Sequence, residues 1–212
     1  MQTIKVPDKL KASSTAAIPY VESRIPAPEE FVVLSQTLLN ATAKTGKELK
    51  DCVNSWALGG DAGELLFGVN IRPDHLTILT TKEGCDEISK KLVAYQVKKN
   101  SPEVVERELE RTALMAANSY HVRIKSYFAE FSIDGTRLDV HGDLQIKVAD
   151  WEWGDALEFE PETANIVGVT MPVVPLRLKK ELYIGLGWTD RVKKINDALV
   201  RSHHRNGLTA SR

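Results

Sequence analysis

The stretch Trp56-Ala57-Leu58-Gly59-Gly60-Asp61-Ala62-Gly63-Glu64-Leu65-Leu66-Phe67-Gly68 decides how this chain is read. A short apolar strand, starting as early as Val53, runs into a glycine pair, and small residues then open a helix. Glycine has no Cβ, so a pair at such a junction either makes a tight turn or lets backbone N–H groups approach an anion. Two familiar phosphate loops are excluded, because neither G-x-G-x-x-G nor G-K-[ST] is present. On these residues alone, the plain turn and the phosphate cradle both stay open.

Downstream, His75-Leu76-Thr77-Ile78-Leu79-Thr80 forms a second strand, and the spacing predicts a helix from Lys82 to Lys98 with Cys85, Ile88, Leu92 and Tyr95 on one face. Upstream, Glu29-Glu30 open a helix carrying Phe31, Leu34, Leu38 and Ala41, with Gly46 as its stop. Ser101 as N-cap and Pro102 at the first helical position predict a further helix with the stripe Val105, Leu109, Ala113 and Ala116. The period then changes to two. Residues 121–133, the turn Asp134-Gly135 and residues 137–148 form a hairpin. A shorter strand pair is expected through Ala156–Phe159 and Ile166–Val169. Pro172 and Pro175 precede a helix from Leu176 to Leu186, Gly187 ends it, and Thr189 caps a last helix bearing Val192, Ile195 and Leu199. Residues 1–28, with Pro7, Pro19, Pro26 and Pro28, are expected as an extended arm, 29–201 as one α+β domain, and 202–212 as a flexible tail.

The order of these pieces resembles the minimal nucleotidyltransferase fold of stand-alone and toxin-type members. The resemblance rests on Trp56-Ala57-Leu58-Gly59-Gly60, a helix, the strand His75-Leu76-Thr77-Ile78-Leu79, and the distant strand Arg137-Leu138-Asp139-Val140. The tail is similar as well: Met171-Pro172-Val173-Val174-Pro175-Leu176 leads to Lys179-Lys180, Gly187 and a short helix. It spans roughly residues 30–200 in pattern and order. It implies a mixed β-sheet with a hairpin, flanked by helices, and transfer of a nucleoside monophosphate from a nucleoside triphosphate to an acceptor hydroxyl. In that reaction two divalent metals, here Mg²⁺ if the protein is active, clamp the attacking and leaving oxygens.

By the same resemblance, Gly59 and Gly60 belong to the nucleotide site, Asp139 keeps the third carboxylate position, and Lys180 is a candidate phosphate contact. The two alternate carboxylates expected on the preceding strand fall at His75 and Thr77. One anionic ligand of three makes a poor cage for a hard cation. Asp74 and Asp61 are candidate displaced acids, although a one-residue slip turns a strand side chain to the opposite face. His75 with Asp139 is a pair for a softer divalent ion, or else His75 is a strand histidine bonded to backbone. Asp61 after the glycines would cap the helix or repel a triphosphate, and Glu64 would add repulsion or face solvent. Trp188 and Asp190-Arg191 depart from the family's ending. The expectation is therefore a degenerate member acting as a binding or regulatory module. An active enzyme with rearranged acids and an unrelated α+β interaction domain are the alternatives.

Composition bounds the rest. The 212 residues balance 28 Lys+Arg against 29 Asp+Glu, and 42% are hydrophobic, within the ordinary globular range. No apolar run approaches the ~18 residues that span a bilayer, so no membrane role is expected. The start, Met1 to Asp8, has no apolar signal core, and Cys52 and Cys85 are expected as reduced, half-buried thiols of a cytoplasmic protein. Residues 128–170 hold ten acids and two bases, while 174–212 hold nine bases and three acids. That bipolarity suits a protein partner or a homo-oligomer, whereas nucleic-acid binding is disfavoured without aromatics among the basic residues. Trp151 and Trp153 alternate, which would place both indoles on one face, and His203-His204 are read as solvated.

Overall fold

The computed structural model describes residues 35–98, 101–115 and 118–209, with side chains to Arg201. The arm expected over 1–28 and the helix start expected at 29–34 lie outside the described residues. The first helix, α1, is Gln36–Leu49, and Ser35 caps it by accepting from the Leu38 N–H at 3.3 Å. Gly46 lies inside this helix instead of ending it. A Cβ there would come within 2.9 Å of Val169 Cγ1, so the glycine serves close approach of the helix to the sheet.

Strand β1 (Trp56–Leu58) and helix α2 (Gly60–Leu66) follow, then β2 (Leu76–Thr80) and α3 (Lys82–Lys91), which Thr81 caps through Gly84 N–H. Helix α3 is shorter than expected, because fully buried Leu92 ends it and a 3-10 turn at Val93–Tyr95 leads to a bridge between Gln96 and Phe131. The hairpin is β6 (Val122–Ile133) with β7 (Thr136–Val148), turning at Asp134-Gly135 as expected.

Two expectations are overturned. Residues 103–108 form strand β3, not a helix, with β4 (Ala113–Met115) and β5 (Asn118–Tyr120) as a small separate pair. The β-branched Val104-Val105 and alternating charges suit an edge strand, and β6 offers an unpaired edge that β3 satisfies along its whole length. Glu106 then meets Arg123 across the pair at 3.0 Å. The second hairpin is β8 (Glu162–Ile166) with β9 (Val169–Val173), so Ile166–Val169 is its turn. Val167 and Gly168 both adopt positive φ there, the geometry a two-residue hairpin turn requires. Ala156–Phe159 is not a strand; residues 151–157 lie along the end of β7, with Gly154 N–H on Ile146 O and Leu157 N–H on Leu144 O.

Seven strands make one mixed sheet in the order β3-β6-β7-β2-β1-β9-β8, with β2–β7 and β1–β9 parallel. One face is the main core, where Leu58, Leu76, Ile78, Phe131, Leu138 and Val140 pack against α1 and α3. Helices α4 (Leu176–Gly185) and α5 (Thr189–Thr209) sit on the other side, where Leu176, Tyr183, Val192 and Ile195 pack with Val69 and Ile71 beside α2. Gly187, at φ +69°, makes the corner between them. Residues that alternate with the main core, Thr77, Asp139 and His141, therefore point to the opposite face of the sheet.

Candidate functional site

The glycine turn is built against β2. Gly59 N–H donates to the Thr77 carbonyl at 2.7 Å, and Gly60 has φ +53°. A Cβ on Gly60 would lie 2.8 Å from Thr77 Oγ1, so both conformation and space require glycine here. In the parallel pairing of β2 with β7, Thr77 is the register partner of Asp139. Gly59, Gly60, Thr77 and Asp139 are thus brought together.

Asp139 is 4% exposed, and both its oxygens are engaged: Oδ1 accepts from Arg137 Nε at 2.8 Å and Oδ2 from Arg137 Nη2 at 2.6 Å. This bidentate geometry is the strong form of the pair. Glu130, the cross-strand partner of Asp139, lies 3.9 Å from the same guanidinium. His75 and Asp74 precede β2 in a bend, and His75 Nδ1 bonds Asp74 Oδ1 at 2.6 Å. The Asp74 side chain is 92% exposed, and this bond holds its carboxyl below the usual range. His75 is therefore bonded to a carboxylate rather than to backbone.

Further along β7, buried His141 shares a hydrogen bond of 2.8 Å with Ser126 Oγ and packs on Phe128 with ring centroids 5.1 Å apart. Burial, followed by the nearby Arg107 charge, pushes its imidazole down to about 4, so it is neutral at pH 7. Arg107 reaches back along β3 and stacks on the Phe128 ring at 4.0 Å.

Behind the glycine turn lies a buried ionic network. Glu64 is fully buried and accepts from Tyr183 Oη at 2.5 Å and Lys179 Nζ at 3.4 Å, while its Oε2 is 3.6 Å from Arg191 Nη1. Lys179 also donates to the Gly60 carbonyl. Burial lowers the Lys179 pKa, with Glu64 opposing that shift. Arg191 grips Asp61 bidentately at 3.0 and 3.2 Å. Two expectations change accordingly. Asp61 does not cap α2, whose N-cap Gly59 makes no side-chain bond, and Glu64 does not face solvent. Both acids are paired by cations that α4 and α5 deliver. Lys179, not its neighbour Lys180, holds the turn; Lys180 is half-buried on the next helical position.

Sequence reasoning passed over Arg137, His141 and Arg107. The signal for the first two was available, since strand alternation puts Arg137, Asp139 and His141 on one face. Arg107 was hidden by the helical reading of its segment. Among the described residues no group of three His, Cys, Asp or Glu side chains stands ready to hold a metal ion, and no helix is long and apolar enough to cross a membrane. Trp151 and Trp153 do not share a face: the first packs in the apolar cluster of Val122, Val148 and Leu186, and the second lies near Lys125 and Lys147. Cys52 and Cys85 are free thiols, half-buried and buried.

No family model matches the chain, and no curated protein matches it. Among solved structures, a Thermotoga maritima protein assigned as a nucleotidyltransferase superposes with a TM-score of 0.59 at 23% identity, covering 80% of this chain and 96% of that one. A lincomycin-bound lincosamide antibiotic adenylyltransferase follows with a TM-score of 0.43 at 11% identity, covering 78% and 98%. The chain has the nucleotidyltransferase fold.

Proposed function

We propose that this protein is a nucleotidyltransferase-fold binding module that has given up two-metal nucleotidyl transfer. One observation carries the reading: Arg137 takes both oxygens of Asp139, and the resemblance would put the other two carboxylates at His75 and Thr77. Magnesium takes hard oxygen ligands in near-octahedral geometry. A carboxylate already bridged by a guanidinium, beside a hydroxyl and a carboxylate-bound imidazole, does not fit that ion. What this face offers is hydrogen bonding: the Thr77 hydroxyl and the N–H groups of Arg137 that Asp139 does not take, next to the glycine turn. A nucleoside triphosphate is the ligand class this arrangement suits. The exposed acids Glu152, Asp155, Glu158 and Glu160 and the exposed Lys193 and Lys194 on α5 leave room for a protein partner or a second copy of this chain.

A second reading, an active enzyme with a displaced acid, has one observation in its favour. Asp74 belongs to the loop before β2, so its side chain is not committed to either face of the strand. Incubation with α-labelled nucleoside triphosphates and Mg²⁺ or Mn²⁺ separates the two. No label transfer is expected; transfer that vanishes in Asp139→Ala would overturn the binding-module reading.

A further inference from the structure

The resemblance implies a cation-holding carboxylate at Asp139; in this chain a guanidinium already sits on it. The Arg137 pair with Asp139 is two-pronged, and Asp139 is buried under it while the Arg137 side chain is 48% exposed. Asp139 takes hydrogens from Nε and Nη2, and Nη1 is not part of that pair. Hydrogen bonding to Asp139 raises the Arg137 pKa further, so this cation is permanent. A second guanidinium lies on the same face of the sheet. Arg107 stacks on Phe128, and its Nη2 is buried with no hydrogen-bond acceptor among the described residues. Both guanidiniums act electrostatically on His141. A buried donor without an acceptor is costly, and an oxyanion seated against this face would satisfy it. The acids nearby oppose this only weakly: Glu130 is partly solvated at 3.9 Å, and Asp74 is exposed and already bonded to His75.

We propose that Arg137 replaces the divalent cation, so that this face of the sheet takes a polyphosphate chain, that of a nucleoside triphosphate, without any metal. Arg137 and Arg107 are its two anchors, and the hydroxyl of Thr77, the register partner of Asp139, donates a third hydrogen bond. This rests on the binding-module reading above and gives it a ligand chemistry.

The test is titration calorimetry of the full chain with ATP and, separately, inorganic tripolyphosphate, each in EDTA and in Mg²⁺. ATP affinity in EDTA is expected to match that in Mg²⁺ within about twofold, and Arg107→Met is expected to weaken it roughly tenfold in both buffers. Because Arg137→Gln alone leaves Asp139 buried and unpaired, the double variant Arg137→Gln/Asp139→Asn is used. It keeps a hydrogen-bonded pair and removes both charges. Loss of binding in that variant supports the proposal, and binding equal to the parent overturns it. Tripolyphosphate binding as well as ATP places recognition in the phosphates; ATP binding alone, with no effect of either arginine, overturns it. Binding that requires Mg²⁺ without label transfer overturns this inference alone, as does the absence of binding. Mg²⁺-dependent binding with label transfer overturns the binding-module reading as well.

Discussion

Lys179 on α4 donates its ammonium hydrogens to the carbonyl of Gly60, 119 residues earlier in the chain, and to the buried carboxylate of Glu64. One side chain thus ties the C-terminal helices to the glycine turn and neutralises an acid that water cannot reach. Lys179→Met should cost about 3 kcal/mol, because it leaves Glu64 buried with fewer partners. The double variant Glu64→Leu/Lys179→Met should cost less than the sum of the two single changes, since both charges leave together. Chemical denaturation of the four proteins measures this, and simple additivity would refute the coupling.

Gly60 is constrained twice, by φ +53° and by Thr77 Oγ1 at 2.8 Å from the missing Cβ. Gly60→Ala should therefore destabilise by about 2 kcal/mol. Placing it in a Thr77→Ala background should recover only the steric part, leaving about 1 kcal/mol of backbone strain. Full recovery in thermal melts would mean that the backbone conformation is not held.

The Arg137–Asp139 pair is asymmetric in burial, and its two alanine variants should differ. Arg137→Ala strands a carboxylate that is 4% exposed and should cost about 2–3 kcal/mol, less than for a fully buried pair because water reaches the guanidinium side. Asp139→Ala leaves an arginine that can turn to solvent and should cost under about 1 kcal/mol. Equal losses in urea midpoints would show that Asp139 is better solvated than its position implies.

His141 supplies a pH dependence. Its folded pKa, about 4, lies below the ordinary 6.5, so the unfolded chain binds the proton first as pH falls. Its contribution is present above pH 6.5, is lost as pH drops towards 4, and amounts to about 3 kcal/mol when complete. Stability measured from pH 7 to pH 4 should fall more steeply in the parent than in His141→Gln. Parallel slopes would mean that His141 is already charged in the fold.

Burial pushes the Cys52 thiol up to about 11 and the Cys85 thiol up to about 12. Since the thiolate is the reactive form, both should resist alkylation at pH 8 in the native protein. Both should label after unfolding; rapid native labelling of Cys85 would contradict its burial.

Much of the site was legible in the chain order. The strand Trp56–Leu58 and the glycine pair follow from local pattern, whereas Thr77 and Asp139 were singled out by the resemblance. The Asp134-Gly135 turn fixes the hairpin register that sets Glu130 opposite Asp139. The residues around 101–115 were misread because a serine and a proline imitate a helix start, while the deciding factor, an open edge on β6, lies more than ten residues away. Gly46 was misread for a similar reason: only the packing of α1 on β9 shows that the glycine makes room for Val169.

By itself, the sequence determined the alternation that sets Arg137, Asp139 and His141 on one face of their strand, and the glycines that permit the turn. Those are local facts, set by chemistry within a few residues. Only the tertiary structure decided which charges are neutralised. Asp61 meets Arg191 and Glu64 meets Lys179 across more than 100 residues, and Arg137 folds back on Asp139 in preference to solvent. Pairing of ions is a matter of distance and burial in space, and spacing along the chain specifies neither.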